Sequence, residues 1–145
     1  MKTLLLVEDS EDDIFLMKRA FDRANFPCSV QIVDDGDKAI DYLSGSGIYA
    51  DRFTYPLPAL LLLDIKLPRR NGLEILQWIR SQPSLKGLPV VMLTNSNEPE
   101  DIDHAYALGA NSYLVKPINY EQLEQTLPRL MEYWLTANVS PYSYT

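Results

Sequence analysis

The stretch Ala59-Leu60-Leu61-Leu62-Leu63-Asp64 decides the fold class of this chain. Its five aliphatic residues carry no polar alternation, which is typical of a central strand that is covered on both faces. Parallel sheets contain such strands, because the crossover connections between parallel strands place helices above and below the sheet. The stretch therefore predicts an inner strand of a parallel sheet, with Asp64 at its carboxyl end.

Strands and helices are predicted to alternate on both sides of this stretch. Short apolar runs predict strands at 3–7, around Val30 and Ile32, at 90–94 and at 113–115. Apolar residues at helical spacing predict helices at 14–24, 39–43, 72–81, 98–108 and 119–135, the last one kinked or split by Pro128. These strand-then-helix units predict an α/β fold, a doubly wound five-stranded parallel sheet with helices on both faces.

Length, composition and charge narrow the class of protein. The 145 residues, 46% of them hydrophobic, suffice for one hydrophobic core, and we expect a domain at 1–135 followed by a tail at 136–145. A net charge of −7 disfavours contact with nucleic acid and with anionic lipid. No apolar run approaches the ~20 residues of a membrane span, no signal peptide is predicted, and Cys28 is the only cysteine. We therefore expect a cytoplasmic protein without a disulfide.

Polar side chains stand at the predicted carboxyl ends of four strands. Glu8 and Asp9 follow the first strand and Asp64 follows the third. Thr94 closes the fourth strand, and Lys116 follows the fifth. In an open parallel sheet these ends share one edge, where ligands bind near a change in strand order. Carboxylates about 5 Å apart repel by ~3 kcal/mol at an effective dielectric of about 20, so three of them require a cation. Oxygen ligands without His or Cys favour Mg²⁺.

The same residues are suited to phosphoryl transfer. Asp64 is placed to attack a phosphorus atom and form an aspartyl phosphate. Mg²⁺ and Lys116 neutralise charge on the transferred oxygens, and the Thr94 hydroxyl can donate a hydrogen bond to one of them. Each residue alone also fits a solvated turn, a helix cap or an ordinary strand position. The prediction therefore depends on their combination at successive strand ends.

Four segments together resemble the receiver domains of two-component response regulators. They are LLLVEDSEDD (4–13), LLLDIKLPRRNGLEIL (61–76), PVVMLTNS (89–96) and GANSYLVKPIN (109–119). The resemblance spans nearly the whole chain and implies a flavodoxin-like fold of the receiver type. It also implies that a sensor histidine kinase phosphorylates Asp64. The protein is then a phosphoacceptor that assists its own phosphorylation and dephosphorylation, not an enzyme with a separate substrate.

The resemblance also implies a metal site beside Asp64. Asp9 and Asp64 match the carboxylates that bind Mg²⁺ directly in receivers, and Glu8 matches the one that acts through water. The backbone carbonyl two residues after the phosphorylated Asp is a further ligand, and it falls on Lys66.

Three more residues match the switching part of a receiver. Thr94 and Tyr113 match the hydroxyl and the aromatic side chain that move together on activation. Lys116 matches the lysine that contacts the phosphoryl group, and the resemblance implies a cis bond between Lys116 and Pro117.

Within the family, the chain is most similar to the small regulators paired with bacterial phytochromes. The similarity lies in the long loop before the Asp64 strand, in PVVMLTNSNEPEDI (89–102) and in EYWL (132–135). It implies a phytochrome as the sensor kinase. A receiver that serves another kinase, and a receiver-like docking module that is never phosphorylated, are the alternatives.

Two positions depart from the common receiver pattern. Lys66 places a long cation two residues after Asp64, where it can shield the phosphoryl group or pair with a carboxylate. Asn95 is bulkier than the Ala or Gly that many receivers carry after the hydroxyl residue. We predict that the two residues together alter the lifetime of the phosphorylated form.

The expected output is a contact with an unidentified downstream protein, since the sequence shows no DNA-binding or catalytic domain after the receiver. The aromatic residues Tyr133, Trp134, Tyr142 and Tyr144 favour a homodimer interface formed by the last helix and the tail. A tail folded back on its own domain is the alternative.

Two other function classes are disfavoured. A phosphatase of the haloacid dehalogenase type needs a second Asp two positions after its nucleophile, where this chain has Lys66. Nucleotide and flavin binders need glycine-rich phosphate loops, and the sequence contains neither GxGxxG nor GxxxxGKS/T.

Overall fold

Parallel strands and α-helices alternate along the chain in the computed structural model, which describes residues 1–116 and 119–141. The strands are β1 (Thr3–Val7), β2 (Ser29–Val33), β3 (Leu60–Leu63), β4 (Val90–Thr94) and β5 (Ser112–Val115). The helices are α1 (Glu11–Ala24), α2 (Gly36–Ser44), α3 (Gly72–Ser81), α4 (Pro99–Ala107) and α5 (Tyr120–Glu132). The predicted α/β fold is confirmed, and most predicted boundaries agree with the observed ones to within three residues.

The five strands form one parallel sheet in the order β2-β1-β3-β4-β5. The chain moves to one side of β1 to form β2 and then returns to the other side to form β3. The change in winding direction therefore lies between β1 and β3. In sheets of this order, ligands bind beyond the carboxyl ends of the strands at that position.

Both faces of the sheet are covered by helices, as the unbroken apolar stretch at β3 predicted. Leu61 and Leu63 point to the face that packs against α2, α3 and α4. Leu60 and Leu62 point to the opposite face, against α1 and α5. All four side chains are fully buried, so β3 forms the centre of two hydrophobic cores.

Polar side chains cap the first turns of four helices. The cap residues are Ser10 for α1, Asp35 for α2, Asn71 for α3 and Asn119 for α5. Each accepts a hydrogen bond from a backbone N–H of its helix that would otherwise lack a partner. The predicted cap at Asn119 is thereby confirmed. These caps fix the helix starts directly after the strand ends, which is where the candidate site lies.

Pro128 does not split the last helix, so the predicted split is wrong, whereas the alternative of a kink stays a prediction. The α-helix runs without interruption through Pro128 to Glu132, and a π-helical turn continues it over Tyr133–Ala137. Proline removes one backbone hydrogen bond. Leu127 and Leu130 are nevertheless buried against the sheet on either side of it. This packing keeps the segment helical.

The chain beyond α5 returns to its own domain as far as the structure describes it. The Lys2 ammonium donates a hydrogen bond to the Leu135 carbonyl at 2.8 Å. Pro141 lies so near Gly87 that a Cβ added there would be 2.9 Å from the proline ring. These contacts agree with the folded-back alternative for residues 136–141, whereas Tyr142 and Tyr144 lie outside the described residues. The predicted boundary after residue 135 stays a prediction.

The long loop between α2 and β3 is ordered by Arg52. Its guanidinium donates hydrogen bonds to the carbonyls of Tyr42, Leu43 and Tyr55. The Tyr42 hydroxyl in turn donates to the Pro56 carbonyl at 2.8 Å. The loop therefore supplies partners for the last carbonyls of α2.

Among the described residues, no helix is both long enough and apolar enough to cross a lipid bilayer.

Candidate functional site

The ends of β1 and β3 bring the predicted acidic residues together. Val7 and Leu63 are partners in the sheet register, so Glu8 and Asp64 leave adjacent strands side by side. The Asp64 N–H donates to the Val7 carbonyl at 3.2 Å. One carboxylate oxygen each of Glu8, Asp9 and Asp64 lies within 4.8 Å of the others. The prediction that these three carboxylates converge is therefore confirmed by the geometry.

Two of the three carboxylates are buried, and this sets the electrostatics of the cluster. Glu8 and Asp64 have only 2% and 6% of their surface exposed, whereas Asp9 is exposed. Burial raises the pKa of Glu8 above its ordinary value, although hydrogen bonds from Lys116 and from the Ser10 backbone act in the opposite direction. Buried carboxylates this close need positive charge nearby. A donor set made only of oxygens fits a hard divalent cation, and a cation there would offset the repulsion.

Lys116 supplies positive charge directly to the carboxylates of the site. Its ammonium donates to Glu8, to Asp13 at 2.8 Å and to Asp64 at 3.0 Å. Its side chain is only 10% exposed. Burial lowers the pKa of Lys116, but the hydrogen bonds to the three carboxylates outweigh burial and hold the pKa above its ordinary value. Lys116 therefore carries its positive charge at neutral pH.

Asp13 belongs to this site, and the sequence analysis missed it. It lies in the first turn of α1, where its backbone N–H donates to the Ser10 side chain at 3.3 Å. The Ser10 cap fixes the start of α1 next to β1, which turns Asp13 toward Lys116. The Ser-x-x-Asp pattern in the sequence indicates that Asp13 lies in the first turn of a helix, but it does not indicate Lys116 as its partner.

Thr94 and Tyr113 lie on the neighbouring strands β4 and β5. Thr94 is buried at the end of β4, and its carbonyl accepts the Lys116 backbone N–H at 2.7 Å. The Tyr113 hydroxyl donates to the Ser96 carbonyl at 2.8 Å, so the tyrosine contacts the β4–α4 loop. The Ser96 hydroxyl donates to Asp101 at 2.5 Å. The loop is thus tied to both β5 and α4.

The remaining predicted site features have different outcomes. Lys66 follows β3 with an exposed side chain, and the ion pairs found at 1–116 and 119–141 do not include it. Its pairing with a carboxylate is therefore not observed, and the metal-binding role of its carbonyl stays a prediction. The bond between Lys116 and Pro117 lies outside the described residues.

Gly72 is a second residue whose importance the sequence analysis missed. Its N–H donates to the Ile65 carbonyl at 2.7 Å, and the backbone of Asp64 packs directly against its Cα. A Cβ at this position would lie 2.0 Å from the Asp64 carbonyl oxygen. Only glycine allows the start of α3 to approach the strand end this closely.

A comparison with known sequence families identifies the chain. The family described as response regulator receiver domain matches residues 4–128. The chain belongs to this family. The predictions of a two-component response regulator and of a flavodoxin-like receiver fold are therefore confirmed, and signalling that depends on phosphorylation agrees with both.

The receiver is similar to two known regulators over most of their length. It is 40% identical to the probable methanogenesis regulatory protein FilR2 of Methanothrix harundinacea, over 95% of this chain and 86% of that one. It is 35% identical to the response regulator Rcp1 of a Synechocystis strain, over 97% of this chain and 93% of that one.

Solved structures agree with this assignment. The phosphorylated cyanobacterial phytochrome response regulator RcpA superposes with a TM-score of 0.88 at 40% identity, covering 97% of this receiver and 98% of RcpA. The Mn²⁺-bound form of Rcp1 gives a TM-score of 0.86 at 35% identity, covering 97% of this receiver and 99% of Rcp1.

Proposed function

We propose that Asp64 accepts a phosphoryl group from a phosphohistidine of a sensor histidine kinase. A bond forms between an Asp64 carboxylate oxygen and phosphorus while the phosphorus–nitrogen bond breaks, and the electron pair stays on the imidazole nitrogen. The observation that carries this proposal is the 3.0 Å contact between the Lys116 ammonium and the buried Asp64 carboxylate, where the winding of the sheet changes between β1 and β3. The receiver is then a phosphoacceptor that assists its own phosphorylation and dephosphorylation.

Mg²⁺ is the proposed metal ion, held directly by Asp9 and Asp64, through water by Glu8, and by the carbonyl of Lys66. The all-oxygen donor set supports this choice. The related Rcp1 binds Mn²⁺, another divalent cation. When bound, the ion neutralises charge on the transferred phosphoryl oxygens. Lys116 adds a positive charge in contact with Asp64.

Thr94 and Tyr113 are proposed to convert phosphorylation into a change of shape. A phosphoryl oxygen offers the Thr94 hydroxyl a charged acceptor, which draws the β4–α4 loop inward. Tyr113 is hydrogen-bonded to that loop at Ser96. Movement of the loop therefore changes the position of Tyr113 and of the surface formed by α4, β5 and α5.

A direct test uses a small phosphodonor. Incubation with acetyl phosphate and Mg²⁺ should add the mass of one phosphoryl group to the wild type and none to Asp64→Asn. Asp34→Asn is the matched control, because Asp34 also follows a strand at the same sheet edge but is exposed. An unmodified wild type would contradict the proposal and favour the docking module that is never phosphorylated.

A phytochrome is the proposed sensor kinase, because RcpA and this receiver share 40% identity and nearly full coverage. FilR2 is equally identical, which keeps a kinase of another class as the second candidate. Phosphotransfer profiling against the histidine kinases of the source genome separates the two, with Asp64→Asn as the blank. Preferential transfer from a kinase without a phytochrome sensor module would overturn the first assignment.

The proposed output is a contact with a downstream protein, together with a homodimer through the last helix and tail, in which residues 136–141 stay folded back on their own domain. Exposed apolar residues on and next to this surface support it: Tyr106 on α4, Val115 on β5 and Tyr133 after α5 are each about half exposed. A cytoplasmic location is part of the same proposal. Sedimentation of the phosphorylated and unphosphorylated protein tests the dimer, and only monomer in both states would refute it.

A further inference from the structure

All three N–H donors of the Lys116 ammonium contact carboxylates. An ammonium group has three N–H donors and no acceptor. Glu8, Asp13 and Asp64 take one contact each. A phosphoryl group that arrives on Asp64 brings new acceptor oxygens, so Lys116 must release an existing partner before it can bind them.

Asp13 is the partner that Lys116 can release at the lowest cost in free energy, because water can replace the ammonium there. The Glu8 and Asp64 side chains are only 2% and 8% exposed, so neither can replace the ammonium with water. The Asp13 side chain is 31% exposed and can do so. Asp13 also lies in the first turn of α1, where the helix dipole stabilises a free negative charge. Leaving a buried charge without a partner is far more costly than leaving an exposed one.

We infer that Asp13 is a positioning residue that competes with the phosphoryl group on Asp64 for the Lys116 ammonium. Before phosphorylation, Asp13 holds one of the three N–H donors of Lys116 and shares its positive charge with Glu8 and Asp64. Once a phosphoryl group is present, Lys116 turns from Asp13 to a phosphoryl oxygen. Asp13 thereby sets how tightly the receiver holds its phosphoryl group. This inference depends on the proposed phosphorylation of Asp64.

The inference predicts opposite effects of one substitution on two ligands. In Asp13→Asn, Lys116 loses a competing carboxylate, so a phosphoryl mimic on Asp64 should bind about three- to tenfold more tightly. In the same variant, Lys116 pairs more closely with Glu8 and Asp64 and opposes a divalent cation. Mn²⁺ should therefore bind more weakly in the absence of the mimic. A defect that merely loosens the site would weaken both ligands.

The test measures both dissociation constants for the wild type and three variants. Beryllofluoride binding at saturating Mg²⁺ is followed by ¹⁹F NMR, and Mn²⁺ binding by water proton relaxation. Asp12→Asn is the matched control, because Asp12 lies in the same turn, is exposed, and carries the same charge. Asp13→Glu keeps the carboxylate and should restore both constants to within about twofold of the wild type.

Two results would overturn the inference while leaving the proposed function intact. One is a wild type that binds beryllofluoride together with an Asp13→Asn variant that matches Asp12→Asn for both ligands. The other is weaker beryllofluoride binding by Asp13→Asn, which would mean that Asp13 supports Lys116 and does not compete for it. A wild type that binds Mn²⁺ but no beryllofluoride would instead refute the proposed function, and the inference with it.

Discussion

Replacing Gly72 with alanine tests how tightly the start of α3 holds the strand end that carries Asp64. The new Cβ would lie 2.0 Å from the Asp64 carbonyl oxygen and 2.9 Å from the Ile65 Cα. Both are backbone atoms, so no side-chain rotation relieves the contact. The oxygen must move until the separation reaches at least 3.0 Å, because shorter Cβ contacts essentially never occur.

This displacement affects stability and metal binding to different extents. Overpacking of this kind typically costs about 1–3 kcal/mol, which lowers the melting temperature of a domain this size by about 3–12 °C. A shift of Asp64 by about 1 Å would also misplace its carboxylate in the proposed metal site, and we expect the Mn²⁺ affinity to fall by about tenfold or more. The assay is a thermal melt followed by a Mn²⁺ titration well below the melting temperature.

Gly36 provides the matched control for this experiment. A Cβ there would lie 2.1 Å from the Arg70 carbonyl oxygen, so Gly36→Ala introduces a similar backbone clash against the loop after β3 and not against Asp64 itself. It should lower the melting temperature comparably while changing the Mn²⁺ affinity much less. Wild-type Mn²⁺ affinity in Gly72→Ala, or an equal loss in Gly36→Ala, would refute the reasoning.

Three further predictions concern the loop before β3 and the surroundings of the site. Arg52→Ala removes the donors to the Tyr42 and Leu43 carbonyls and should lower the free energy of unfolding in urea by about 1–3 kcal/mol. The Mn²⁺ affinity of this variant should stay unchanged. A loss of Mn²⁺ affinity would contradict a purely structural role of Arg52. Burial raises the pKa of Tyr42 in the folded protein to about 12, whereas the pKa in the unfolded chain is about 10. The protonated hydroxyl therefore makes its full contribution to stability below the unfolded pKa. This contribution is lost as the pH rises through 12. The stability advantage of the wild type over Tyr42→Phe should therefore narrow across that window, and a constant difference would show that Tyr42 does not titrate there. Lys66→Asn combined with Asn95→Ala should change the rate of phosphate loss from Asp64, and equal rates would dismiss the predicted influence of these residues.

The sequence was sufficient for the fold because the relevant signals are local. An unbroken aliphatic stretch such as 59–63 has few interpretations other than a strand covered on both faces. The cap at Asn119 and the bounds of α3 and β4 were predicted correctly for the same reason. The predicted split of the last helix at Pro128 does not occur, because burial of Leu127 and Leu130 outweighs the loss of one backbone hydrogen bond.

The candidate site was only partly predictable, because its remaining residues act through contacts distant in sequence. Glu8, Asp9 and Asp64 stand at strand ends, and that position alone predicted their convergence. Asp13 is 103 residues from Lys116, so periodicity within α1 gave no indication of their contact. Gly72 similarly looks like an ordinary helix start until the neighbouring backbone of Asp64 is known.

The position of Lys116 along the chain has a consequence during synthesis on the ribosome. Its partners Glu8 and Asp64 emerge 108 and 52 residues earlier. Until the final strand docks, those acids face one another without their counter-charge, and their mutual repulsion opposes closure of the nascent sheet edge. The ability to take up phosphate is thus expected to arise only when translation has delivered the last strand. Truncated or half-folded copies in the cell would then draw no phosphate away from the kinase.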